Sequence, residues 1–109
     1  MSNDKRITGV PEKMNFELRN IAANLNMTRT FFIKKELAKK LELIDLSKIK
    51  NASGSSTIVK ITGFNRQTEM KIQAICAETG CDFSAVTKFL LNEIVKCYPD
   101  HMKKPPLDY

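Results

Sequence analysis

Arg6 and Thr8 stand one residue apart, and Lys60 and Thr62 repeat the arrangement 54 residues later. Each pair is followed by glycine, giving Arg6-Ile7-Thr8-Gly9 and Lys60-Ile61-Thr62-Gly63. Arg and Lys donate hydrogen bonds to the O6 and N7 atoms of guanine, and Thr can bond a base edge or touch a thymine methyl. In an extended chain, side chains alternate between two faces. Arg6 and Thr8 therefore share a face opposite Ile7, while Ile58, Lys60 and Thr62 oppose Val59 and Ile61. A lone strand leaves its backbone groups unpaired, so the two stretches most simply pair with each other as an antiparallel ribbon. Ile7, Val59 and Ile61 would then cover a core, and Arg6, Thr8, Lys60 and Thr62 would face solvent. A second chemistry lies further along each copy. Thr28-Arg29-Thr30 and Asp82-Phe83-Ser84 fall at expected helix starts, where unpaired backbone N–H groups can hold a phosphate.

No catalytic constellation accompanies these residues. The chain has one histidine, His101, in a polar terminal stretch. Its three cysteines, Cys76, Cys81 and Cys97, lack the CxxC spacing of a zinc site. Cys76 and Cys97 fall on helical patterns and are expected to be small buried thiols. There is no Gly-rich phosphate loop and no acidic cluster, so neither an enzyme, a cofactor nor a small-molecule substrate is expected.

At 109 residues the chain has the length of one domain. Its net charge of +6 is uneven: residues 1–54 carry 11 Lys/Arg against 6 Asp/Glu, and residues 55–109 carry 7 against 6. A basic excess suits a polyanionic partner. The N-terminus is polar and lacks an apolar signal segment, and the cysteines lack a disulfide pattern, so a cytoplasmic protein is expected. No apolar run approaches the roughly 20 residues that span a bilayer, so no membrane partner is expected.

The elements that must position these residues read as follows. Met1 to Asp4 suit a short mobile arm. Lys5 to Val10 and Thr57 to Phe64 read as strands, the second richer in β-branched residues. Met14, Leu18, Ile21 and Leu25 form one helical stripe after Pro11, which suits a first turn. Thr28 suits an N-cap for a second helix with Phe31, Phe32, Ile33, Leu37 and Leu41 on its apolar face and Lys34, Lys35, Lys39 and Lys40 on its solvated face. Residues 42–57 form a connector; Glu42 to Ile49 either extend that helix or fold separately, and Asn51 to Ser56 have a linker composition. Asn65 suits the next cap, with Ile72, Ile75, Met70 and Cys76 as the apolar set. Gly80 suits a left-handed C-cap and Asp82 a further N-cap. Phe83, Val86, Leu90, Leu91 and Ile94 are the buried side of the last helix. Tyr98-Pro99 stops it, and Asp100 to Tyr109 are expected to be an exposed tail.

Overlaid at a constant offset of 54, the halves keep matching: Val10 falls on Phe64, Phe16 on Met70, Leu18 on Ile72, Ile21 on Ile75, Ala23 on Ala77, Lys34 on Lys88 and Leu37 on Leu91. This is the pattern of a duplicated strand–helix–helix unit. The expected organisation is a first repeat over 1–41, a connector over 42–57, a second repeat over 58–98 and a tail over 99–109, with both repeats in one folded unit.

Strand–helix–turn–helix with Asn26-Met27-Thr28-Arg29-Thr30-Phe31-Phe32-Ile33-Lys34-Lys35-Glu36-Leu37 resembles the ribbon-helix-helix family, the Arc and MetJ repressors. Gly80-Cys81-Asp82-Phe83-Ser84-Ala85-Val86-Thr87 is a looser second copy. Two units in one chain resemble the rarer tandem form, of which the conjugation accessory protein TraY is an example. The resemblance implies a mainly α fold with a short two-stranded antiparallel ribbon and a pseudo-two-fold within one chain. It implies that Arg6, Thr8, Lys60 and Thr62, with Ile58 at the edge, read bases in the major groove. It further implies that the second-helix starts clamp phosphates. Two departures stand out. Asp82 replaces the usual Ser/Thr cap, and Gly9 and Gly63 add a residue between strand and helix, so a one-residue slip would exchange the ribbon faces.

The function expected is sequence-specific binding of double-stranded DNA, as a transcriptional repressor, with several copies lined up on repeated sites. An accessory role in plasmid transfer or partition is the first alternative. A protein-interaction module, antitoxin-like, is the alternative from another class, and an apolar outer ribbon face would favour it. A helix-turn-helix over 66–97 is a further reading, set back by the apolar character of its second helix.

Overall fold

In the computed structural model, residues 4–43, 45, 47, 49 and 58–105 are described. The described residues are mainly helical, with a two-stranded antiparallel sheet. β1 (Lys5–Ile7) pairs with β2 (Val59–Ile61), placing Lys5 opposite Ile61, Arg6 opposite Lys60 and Ile7 opposite Val59. Both strands are shorter than the sequence pattern suggests. Gly9 and Gly63 adopt φ of 73° and 61°, a left-handed turn that glycine takes without steric cost and that leads the chain out of the ladder. Thr57 lies outside the described residues.

Three paired residues cannot hold a ribbon together in water. The ribbon persists because its inner face is apolar and covered. Ile7, Val59 and Ile61 are fully buried. β1 packs on α4 (Phe83–Lys96) and β2 on α2 (Arg29–Lys40). Each strand thus rests on a helix from the other half of the chain, so the halves share one core.

The helices begin where the capping residues predicted. The Thr28 hydroxyl accepts from the Phe31 N–H at 3.2 Å and opens α2. Asn65 Oδ1 accepts from the Gln67 N–H at 2.8 Å at the start of α3 (Arg66–Thr79). Asp82 Oδ1 accepts from the Ala85 N–H at 2.7 Å at the start of α4. α3 ends at Gly80 in the left-handed region. α1 (Glu12–Asn24) follows Pro11 directly and buries Met14, Leu18 and Ile21, three members of the predicted stripe. α2 ends at Lys40, and the following residues turn instead of extending it. Of the connector, residues 44, 46, 48 and 50–57 lie outside the described set. No helix among the described residues is long and apolar enough to cross a membrane.

The centre of the core is the packing of α2 on α4, with Phe32, Ile33 and Leu37 on one and Val86, Leu90, Leu91 and Ile94 on the other. Thr87 of α4 is also fully buried, and its hydroxyl has no hydrogen-bond partner among the described residues. Leaving such a group unsatisfied costs roughly 1–3 kcal/mol. Thr87→Val, which keeps the shape and removes the hydroxyl, is therefore expected to raise the melting temperature. A fall on substitution would show that the hydroxyl contributes to folding.

Several side chains sit elsewhere than the pattern suggested. Met70 is 61% exposed and belongs to the surface of α3. Phe31 is 55% exposed, and Phe32 carries the burial. Cys97 is exposed at the end of α4 beside the Lys40 ammonium, and Cys76 is half-buried. Asp100–Lys103, expected as part of an exposed tail, form a 3₁₀ turn that packs on α1 while burying none of its own residues. The amide of Asn20 donates to the Lys103 carbonyl at 2.9 Å, and that of Asn24 to the Met102 carbonyl at 2.9 Å. A polar residue on each of two helical turns thereby satisfies the backbone of a segment that lacks a ladder of its own.

Glu36 is buried on α2 and accepts a hydrogen bond from the Tyr98 hydroxyl. Tyr98 in turn packs edge-on to Phe32, with ring centroids 5.6 Å apart. Burial, then the hydrogen bond to Glu36, pushes the Tyr98 phenol above its ordinary value. The folded protein therefore keeps a proton that the unfolded chain would release. This contribution is fully present below the unfolded phenol value of about 10. It is lost as pH rises above that value towards the folded one. Tyr98→Phe is expected to flatten the alkaline part of the stability curve. Melting curves at about pH 8 and about pH 10.5 test it: equal losses in both proteins would place the Tyr98 proton outside the folding equilibrium.

Candidate nucleic-acid interface

The ribbon presents two unlike faces. Inward lie Ile7, Val59 and Ile61; outward, Arg6, Thr8, Ile58, Lys60 and Thr62 are all exposed. The register places Arg6 and Lys60 on one side of the sheet, and Thr8, Ile58 and Thr62 are exposed just beyond the strand ends. Arg6 and Lys60 are directly opposite each other at its centre. Like charges opposed across two strands are mutually unfavourable, and the cost falls when an anion or an acceptor-rich surface comes between them. Ile58, 54% exposed, is an apolar element at one end of the row.

Lys5 shows why basic character alone does not mark a reader. It falls on the inner face, where its ammonium pairs with Glu69 and lies 5.4 Å from the Phe83 ring centroid. Its charge is thus engaged within the protein.

Asp4 is the residue that sequence reasoning missed. Assigned to a mobile arm, it instead accepts a hydrogen bond from the Gly63 N–H at 3.2 Å and lies 3.9 Å from the Lys60 ammonium. The alternation that singled out Arg6 and Thr8 also contains it, one step earlier.

The ribbon joins the start of α4 through Thr8. Its backbone N–H donates to the Ser84 hydroxyl at 3.1 Å, and its own hydroxyl lies 3.2 Å from the same oxygen. One base-contact candidate and one phosphate-contact candidate are thereby brought together. On the other side, the Lys34 ammonium reaches the Gly63 carbonyl at 3.4 Å and ties α2 to the end of β2.

The two helix starts differ in character. At α2, Thr28 caps the helix, Thr30 is half-buried and Arg29 Nη1 donates to Asn15 Oδ1 at 2.7 Å. Burial, then the charge of Arg19, lowers the Arg29 pKa from its ordinary value. Arg29 stays protonated, because guanidinium groups keep their charge in proteins, and neighbouring Arg19 adds to the positive field. At α4, the Asp82 carboxylate caps the helix and the Phe83 ring packs edge-on to Phe64 at 5.8 Å. Ser84 is the hydroxyl engaged by Thr8. Among the described residues no group of three or more His, Cys, Asp or Glu is placed to hold a metal ion.

No family model, curated protein or solved structure matches this chain.

Proposed function

We propose that the chain is a sequence-specific double-stranded DNA-binding protein of tandem ribbon-helix-helix architecture, acting as a transcriptional repressor. The observation that carries this reading is the central pair of the ribbon. Arg6 and Lys60 are counterparts at the 54-residue offset, and they are the residues that pair. A two-fold axis through a ribbon of two equivalent strands requires that a residue oppose its own copy.

Other offsets agree with it. β1 and β2 begin at 5 and 59, and α2 and α4 at 29 and 83. The caps Thr28 and Asp82 correspond, as do the left-handed residues Gly9 and Gly63, and Asn26 and Gly80. The outer face is basic and carries threonine, which favours DNA over the apolar partner surface that a protein-interaction module would use.

A two-stranded ribbon fits the major groove of B-DNA. Arg6 and Lys60 would donate to guanine, Thr8 and Thr62 would contact neighbouring base edges, and Ile58 would touch a thymine methyl. The start of α2, with Thr28, Arg29 and Thr30, would hold the backbone at one flank. The start of α4, with Asp82, Phe83 and Ser84, would approach it more weakly, because a carboxylate repels phosphate. Joining both strands in one chain makes ribbon formation intramolecular and independent of protein concentration. Because the strands differ in sequence, one unit reads a site without internal symmetry, and several copies would line up on repeated sites.

The test is a binding titration with duplex DNA from upstream of the protein's own gene and with random duplex, over a series of salt concentrations. Preference for one sequence together with a steep salt dependence is the expected result. Weak binding that ignores sequence would overturn the proposal.

A further inference from the structure

The outward row of the ribbon contains one acidic side chain, Asp4. Continuing the register by one pair places Asp4 opposite Thr62, diagonal to Lys60. Its counterpart 54 residues on is Ile58, so the two ends of the reading face carry opposite chemistry. The carboxylate is held in place: Oδ1 accepts from the Gly63 N–H at 3.2 Å, and Oδ2 lies 3.9 Å from the Lys60 ammonium. It is also accessible, since its side chain is 38% exposed. An ionised carboxylate has about four lone-pair sites, so the bond to Gly63 leaves capacity for a further donor.

A carboxylate on a DNA-facing surface repels phosphates and the acceptor-rich edges of guanine and thymine. It suits an exocyclic amino group. In the major groove cytosine presents only that donor, whereas adenine presents the donor beside an acceptor. Next to the cytosine amino group, within the same base pair, lies its hydrogen-bonded partner, guanine O6, about 2.9 Å away. A C·G pair thus sets a lone donor beside an acceptor, and Asp4 sets an acceptor 3.9 Å from the Lys60 donor.

Resting on the DNA-binding reading above, we propose that Asp4 and Lys60 together read one C·G base pair at one end of the site. Asp4 accepts from the cytosine amino group, and Lys60 donates to guanine O6 or N7. Asp4 is then a specificity-determining residue, and the site is asymmetric because Ile58 occupies the corresponding place at the other end.

The experiment is selection of bound sites from a randomised duplex library by the full chain, as wild type, Asp4→Ala and Asp4→Asn. The wild type is expected to enrich a C·G pair at one flank by about tenfold or more. Asp4→Ala is expected to weaken that preference to what the Lys60–guanine contact alone supplies, keep the rest of the motif and bind random duplex more tightly. Asp4→Asn still offers an acceptor to the Gly63 N–H, so the ribbon end is preserved. Its amide matches the adenine N6/N7 edge, and the preference at that flank is expected to move to adenine. An Asp4→Asn motif identical to that of the wild type overturns the inference while leaving DNA binding standing. A wild type that enriches no motif overturns both.

Discussion

Replacing Arg6 and Lys60 together by alanine is expected to abolish discrimination between the specific site and random duplex DNA while leaving the fold intact. Both side chains are exposed at the centre of the ribbon, facing each other across the two strands. Neither contributes to the core. The Lys60–Asp4 ion pair, at 3.9 Å and half in solvent, adds little to stability. Removing two opposed positive charges also relieves a repulsion. The effect should therefore fall on binding. Each base-reading contact is worth about 1–3 kcal/mol, or about 5- to 150-fold in affinity. The two losses will not simply add, because the residues are neighbours. Titration of specific and random duplex against the double variant, beside its melting curve, separates the outcomes. Wild-type preference in a folded double variant would remove the ribbon as the reader.

The largest expected loss of stability comes from Phe32→Ala. Phe32 is 1% exposed, lies in the packing of α2 on α4 and meets the Tyr98 ring edge-on. Truncating a buried phenylalanine costs about 3–5 kcal/mol through lost transfer energy and the cavity left behind. Domains of this size are stable by only about 5–15 kcal/mol, so a large part of the margin disappears. The ribbon should fail with the helices. β2 rests on α2 and β1 on α4, and three-residue strands have no independent stability. Denaturant titration should show a single transition at much lower midpoint, with DNA binding lost over the same range. A cost below about 1 kcal/mol would mean that the α2–α4 contact is not the centre of the core.

Much of this architecture could be read from local pattern. Thr28, Asn65 and Asp82 cap helices because each side-chain oxygen needs only the N–H groups two or three residues ahead. Gly80 ends α3 because a left-handed residue costs glycine nothing. The outward placement of Arg6, Thr8, Lys60 and Thr62 follows from strand alternation once Ile7, Val59 and Ile61 must be buried. The same local logic misplaced Met70. Helical spacing allowed it a place beside Ile72 and Ile75, but no element among the described residues covers that edge of α3.

By itself, then, the sequence determined the strand–helix–helix order, the caps, the alternation of the ribbon and its basic outer face. All of these depend on residues within a few positions of one another. Only the tertiary structure decided which groups are already engaged. Ser84 meets Thr8 across 76 residues, Tyr98 meets Glu36 across 62, and Asn20 meets Lys103 across 83. Lys5 turns inward to Glu69, and Asp4 joins the outer ribbon face through Gly63 and Lys60. No periodicity encodes such pairings, because they arise from where two distant segments meet once the shared core has closed, and that closure sets which charges remain for a partner.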